Sequence, residues 1–176
     1  MIKPLTRIAY WLLPAAKEEE ALQALIDRLA ERLGTPRFAP HVTLLVRPAG
    51  ALDQVESDLE PISQLPVLTL QTDDGLRWSR HYNRALVQPL ALSPPLADLV
   101  SRLAPDSRLP AGYDPHLSLH YGDLDEPTGR QLCHELQLPM RTLTCDRVAA
   151  VAIGPQTRSA ADIAAWHPLA TISLKK

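Results

Sequence analysis

Two histidines stand 75 residues apart in nearly the same setting. Phe38-Ala39-Pro40-His41-Val42-Thr43-Leu44 and Tyr113-Asp114-Pro115-His116-Leu117-Ser118-Leu119 share one order: aromatic, any residue, proline, histidine, aliphatic, hydroxyl, leucine. A second match to such a pattern arises by chance in roughly one in ten thousand chains of this length. The repeat is therefore read as a duplication. Imidazole, with an unperturbed pKa of about 6.5, exists in both protonation states near neutrality, so a facing pair supplies one base and one acid. That pair suits an in-line displacement at phosphorus, in which one ring takes a proton from water and the other protonates the departing oxygen. Hydroxyls beside them would donate hydrogen bonds to the non-bridging oxygens, where charge collects. A cyclic phosphate fits this chemistry, since opening its ring needs one attacking water and one protonated ring oxygen, with no metal. Alone, either histidine reads as a half-buried structural residue, and Thr43 or Ser118 as an ordinary strand position. Matched pairing reverses this: His41 and His116 become catalytic candidates, with Thr43 and Ser118 as substrate-binding partners.

Strand geometry gives the spacing its meaning, because residues i and i+2 point to one face and i+1 to the other. His41 projects with Thr43 and His116 with Ser118, while Val42, Leu44, Leu117 and Leu119 turn to the opposite side. Two duplicated lobes packed about a pseudo-twofold axis would bring the polar pairs together across a cleft.

Other segments position these strands. Residues 6–13 (TRIAYWLL) are β-branched, aromatic and aliphatic and read as a buried strand, although Lys3 and Arg7 precede an apolar run that could be mistaken for a targeting segment. That run is too short for a signal-peptide core, which needs roughly 7–15 residues, and nothing nears the ~20 of a membrane span. Ala21, Leu22, Leu25, Ile26, Leu29 and Leu33 recur at helical spacing over 17–33, and Gly34 with Pro36 stops that helix. Strands are predicted at 41–46, 67–72, 85–88, 116–121, 147–153 and 166–174, and helices at 52–59, 94–104 and 127–136. No glycine-rich phosphate loop follows any strand, which disfavours a doubly wound nucleotide fold.

Composition narrows the classes further. The 176 residues carry a net charge of −2, with 45% hydrophobic and 22% charged residues, which suits one globular domain and argues against bulk attachment to a phosphate backbone. Two cysteines make no disulfide framework, so a reducing cytoplasm is the expected compartment. Cys133-His134 lacks a suitably spaced third ligand, and no metal or cofactor is expected. His167, before Pro168, reads as structural. Arg77 to Arg84 interleaves three arginines with two aromatics and is either a solvated hairpin edge or a base-stacking, phosphate-neutralising segment, in which Trp78, Arg80 and Tyr82 are the candidate contacts.

At His41-Val42-Thr43 and His116-Leu117-Ser118 the chain resembles the 2H phosphoesterase superfamily, defined by two His-x-Thr/Ser motifs. The second motif with its flanks, Tyr113 to Leu124, most resembles the plant and yeast cyclic phosphodiesterases. The close match spans about 20 residues, and element order extends it loosely over the chain. The resemblance implies an α+β, bilobal fold over residues 1–176, with two mostly antiparallel sheets around a central cleft and helices packed outside. It further implies metal-independent opening of nucleoside 2′,3′-cyclic phosphates or ADP-ribose 1″,2″-cyclic phosphate to monoesters. His120 departs from the family, where an aliphatic residue is common, and strict alternation puts it on the face of His116 and Ser118, bordering the cleft as a substrate contact. Tyr121 matches the family's aromatic after the motif, yet alternation puts it on the wrong face, so its contact with substrate requires a strand end or a bulge.

The expected partner is thus a small nucleotide bearing a cyclic phosphate, acted on by a monomer away from any membrane. RNA 2′,3′-cyclic ends are the alternative substrate, and a nucleotide-binding module without catalysis is the alternative class.

Overall fold

The computed structural model describes residues 7–49, 52–73 and 75–176. Lys3, Thr6 and the side chain of Leu52 lie outside the described residues. The strand β1 (Arg7–Pro14) is central, antiparallel to β2 (Val42–Pro48) on one edge and to β7 (Thr142–Ile153) on the other. It is buried on both faces, which is why it reads as an unbroken apolar run. Ile8, Tyr10 and Leu12 enter the main core, while Ala9 and Trp11 turn to the opposite face with Ala149, Val151 and Ile153.

The core is closed by four helices. Leu22, Leu25 and Leu29 of α1 (Ala16–Leu33) carry the apolar stripe, and Gly34, at φ 64°, ends the helix by donating its N–H to the Ala30 carbonyl. Helices α2 (Leu52–Leu59), α3 (Pro94–Leu103) and α4 (Glu126–Glu135) contribute Val55, Leu59, Leu96, Leu99, Val100, Leu103 and Leu132 to the same core. Ser93 and Asp125 cap α3 and α4, and prolines sit in both first turns, where no N–H is missed.

The remaining strands are β3 (Leu68–Gln71), β4 (Arg77–Trp78), β5 (Leu86–Pro89), β6 (His116–His120) and β8 (His167–Ser173). The sheet runs β3-β7-β1-β2-β6-β5-β4, with β8 also paired to β7, and every pairing between these strands is antiparallel. Its two halves meet at one residue pair, Val42 opposite Leu117. The two expected sheets are therefore halves of one ladder that narrows to a single joint between β2 and β6.

Three details differ from the sequence reading. β7 begins at Thr142 rather than 147, because Thr142 to Cys145 alternates out and in against β3 instead of forming an apolar run. β4 and the five-residue helix α5 (Ala160–Ala164) are too short to show a period. Among the described residues no helix is long and apolar enough to cross a membrane.

Candidate active site

The single joint between the sheet halves is the centre of the site. Antiparallel pairing of Val42 with Leu117 sets His41 beside Ser118 and His116 beside Thr43. Both motif strands bury their aliphatic positions, with Val42, Leu44, Leu117 and Leu119 in the main core, so the four polar residues share the opposite face. Trp11 lies across from Thr43, and Val87 across from Ser118, which extends that face onto β1 and β5.

Each imidazole is held in the same way. His41 Nδ1 donates to the Ala39 carbonyl at 2.7 Å and His116 Nδ1 donates to the Asp114 carbonyl at 2.8 Å. A carbonyl only accepts, so both rings carry their proton on Nδ1 and leave Nε2 for chemistry. The intervening Pro40 and Pro115 hold the preceding residue extended, which presents its carbonyl to the ring two positions on.

Their surroundings differ. His41 is 2% exposed and lies in an aromatic cage. Trp11 stacks on it at 3.8 Å between ring centroids, while Phe38 and Trp166 approach edge-on at 6.2 and 6.0 Å. Burial pushes its pKa down to about 4, against the raising effect of the Ala39 carbonyl, and the charge of His116 depresses it further. His116 is only half-buried; burial lowers its pKa and Arg84 adds to that, while the hydrogen bond to the Asp114 carbonyl and the carboxylate of Asp114 oppose them. Arg84 pairs with the Asp114 carboxylate and stands 3.5 Å from His116 Nδ1, a contact between two donors. Tyr113 joins the motifs directly, its hydroxyl donating to the Thr43 carbonyl at 3.0 Å.

A bulge decides the fate of His120 and Tyr121. Val87 pairs with Ser118 but Leu86 pairs with His120, so Leu119 is an extra residue and the alternation shifts by one. His120 faces the core side with Leu86, is 2% exposed, and meets Thr35 Oγ1 at 3.2 Å through Nδ1. Its Nε2 has no partner, and burial pushes its pKa down to about 4. The expectation that His120 borders the cleft is corrected by this shift of parity. The same shift brings Tyr121 to the face of His41 and Ser118. Its hydroxyl lies 3.4 Å from His41 Nε2 and donates to it, and burial pushes its pKa up to about 12, opposed by a hydrogen bond with Ser118.

The three candidates of the arginine-rich segment go to different places. Trp78 lies opposite Leu86 and rests its ring on Gly129 of α4, with an edge still lining a cavity of about 230 Å³ beside His116. Arg80 is exposed and pairs loosely with Glu126 at 3.8 Å. Tyr82 packs toward the cluster of Phe38 and Tyr121. Sequence reasoning missed Trp11 and Trp166, whose apolar character reads as core, and Arg84, which lay inside the segment already singled out for its charge.

No family model matches the chain, and no curated protein matches it in sequence. Solved structures do match. The apo form of E. coli LigT is 17% identical, with a TM-score of 0.61 over 99% of this chain and 100% of that one. E. coli LigT complexed with 3′-AMP gives a TM-score of 0.59 at 17% identity over the same shares. A structure of a phosphoesterase gives 0.59 at 17% identity over 97% of this chain and 99% of that one. From end to end, then, this chain has a LigT-like fold, and its two motifs resemble those of the 2H phosphoesterases.

Proposed function

We propose that the protein is a phosphodiesterase that opens nucleoside 2′,3′-cyclic phosphates or ADP-ribose 1″,2″-cyclic phosphate to monoesters without a metal. The observation that supports this reading is the matched tautomer of the two histidines, together with the Val42–Leu117 pairing that sets each beside a hydroxyl residue of the opposite motif. The paired motifs and their equal Nδ1 anchors also support reading residues 1–176 as one bilobal domain with a pseudo-twofold repeat.

The environments divide the roles. His41, held neutral by burial, is the base: as the Tyr121 hydroxyl turns aside from Nε2, that nitrogen takes a proton from water while the water oxygen bonds to phosphorus. His116 lies nearer to solvent and to the substrate's compensating negative charge, and is the acid: its Nε2 gives a proton to the ring oxygen as the P–O bond breaks. Thr43 and Ser118 donate to the non-bridging oxygens, and Tyr121, bonded to both His41 and Ser118, positions the base and the hydroxyl. That 3′-AMP, a product of such a ring opening, is bound by LigT supports the nucleotide reading.

Hydrolysis of 2′,3′-cyclic nucleotides in excess chelator tests the proposal. His41→Ala and His116→Ala are each expected to lower kcat by roughly 10²–10⁴-fold or more while the protein stays folded. Full turnover in either variant would end the reading, and nucleotide binding with no ring opening at any pH would select a binding module.

A further inference from the structure

The chemistry above leaves a larger cavity of about 550 Å³ without a role. It adjoins the histidine site on two sides. His81 lines both this cavity and the smaller one against His116, and Tyr82 separates it from the cluster that contains Tyr121. Arg7, Arg80 and Arg158 line it against one carboxylate, Asp123.

Each arginine reaches it from a different element. Arg7 starts β1 on the face of Ala9 and Trp11, four residues before the ring that stacks on His41, which is about 13 Å along a strand. Its Nε donates to the Gly154 carbonyl at 3.0 Å, which leaves the end of the guanidinium for the cavity. Arg158 is fixed through its backbone N–H, which donates to Asp162 at 2.8 Å, and its guanidinium makes no ion pair among the described residues. Arg80 has only its loose, exposed contact with Glu126. Three guanidinium groups facing one carboxylate make a local anion site on a chain whose net charge is −2. The separation of Arg7 from the Trp11–His41 stack is beyond the reach of one phosphate and suits a phosphate on the far side of the same nucleoside.

We propose that this cavity is a subsite for a second phosphate, so that the preferred substrate carries its cyclic phosphate at the histidines and another phosphate one nucleoside away. The inference rests on the proposed function for the group held at the histidines. The second phosphate has two sources with one chemistry: a terminal 5′-phosphate, or the phosphodiester that precedes the last residue of an RNA end.

Titration calorimetry with product-like ligands tests this apart from turnover. Adenosine 3′-monophosphate, adenosine 3′,5′-bisphosphate and a diadenylate ending in a 3′-phosphate are compared at about 0.1 M salt. The bisphosphate binds roughly tenfold more tightly than the monophosphate, and Arg158→Gln and Arg7→Gln each bring the ratio to within about twofold. Arg158 lies in an exposed loop, so its variant keeps the test valid should Arg7→Gln unfold. A dinucleotide gain equal to that of the bisphosphate supports the subsite and assigns it to chain phosphates; a gain confined to the bisphosphate supports it and assigns it to a terminal one. Equal affinity for all three ligands, or a preference that survives both substitutions, overturns the proposal. Arginine-dependent preference with no hydrolysis of cyclic nucleotides would uphold the subsite and refute the catalytic reading instead.

Discussion

At the scale of the residue, His41 and His116 share a tautomer but sit in environments that separate their affinities for protons. The proposed mechanism needs His41 neutral and His116 protonated. The first condition is met above about pH 4 and the second below a pKa pushed under the ordinary 6.5. We therefore expect kcat/KM to follow a bell with its acid limb near pH 4 and its alkaline limb below pH 6.5; a profile flat from pH 5 to 8 would remove the acid–base assignment. His120 makes a separate statement, about stability. Its folded pKa of about 4 lies below the unfolded value, so between pH 6.5 and 4 the unfolded chain binds more protons and stability falls as pH falls. His41 acts in the same direction, each group contributing on the order of 3 kcal/mol over that window. His120→Leu removes an unpartnered buried nitrogen, so in urea unfolding the acid loss of stability should shrink by on the order of 3 kcal/mol while turnover stays at the parent level. A changed substrate preference in that variant would return His120 to the cleft.

At the scale of the element, α4 depends on the absence of one side chain. A Cβ on Gly129 would lie 2.6 Å from the Trp78 ring, and Gly129 is buried at the end of the helix's first turn. Gly129→Ala gains helix propensity of about 1 kcal/mol but forces the indole aside. A net loss of roughly 1–3 kcal/mol in urea is expected, and unchanged stability would mean that the ring can move freely. The elements were unevenly legible. The stripe of α1 and its Gly34 stop are written locally, as are the two motif strands. The bulge at Leu119 is not, because an extra residue exists only relative to β5, and HLSLHY reads as plain alternation without it. For that reason the sequence places Tyr121 by resemblance alone and His120 on the wrong face. Trp11 could not be told from core, since what makes it part of the site is a stacking partner 30 residues away.

At the scale of the molecule, the proposed site draws on both sheet halves, so a ligand held there would act on the unfolding of the whole. At 100 times its Kd, 3′-AMP should stabilise the fold by about 2.7 kcal/mol. Trp11 reports on the half containing β1 and Trp78 on the half containing β4, so variants keeping one or the other tryptophan should show coincident transitions, both shifted by ligand. A shift in one alone would mean that the halves unfold separately. The crossed pairing at Val42 and Leu117 also leaves the protein no partial failure. In the proposed mechanism each imidazole works with a hydroxyl borrowed from the other motif, so slippage of that one contact by a single position would strand both dyads together, and neither motif could drift on its own without disarming its twin.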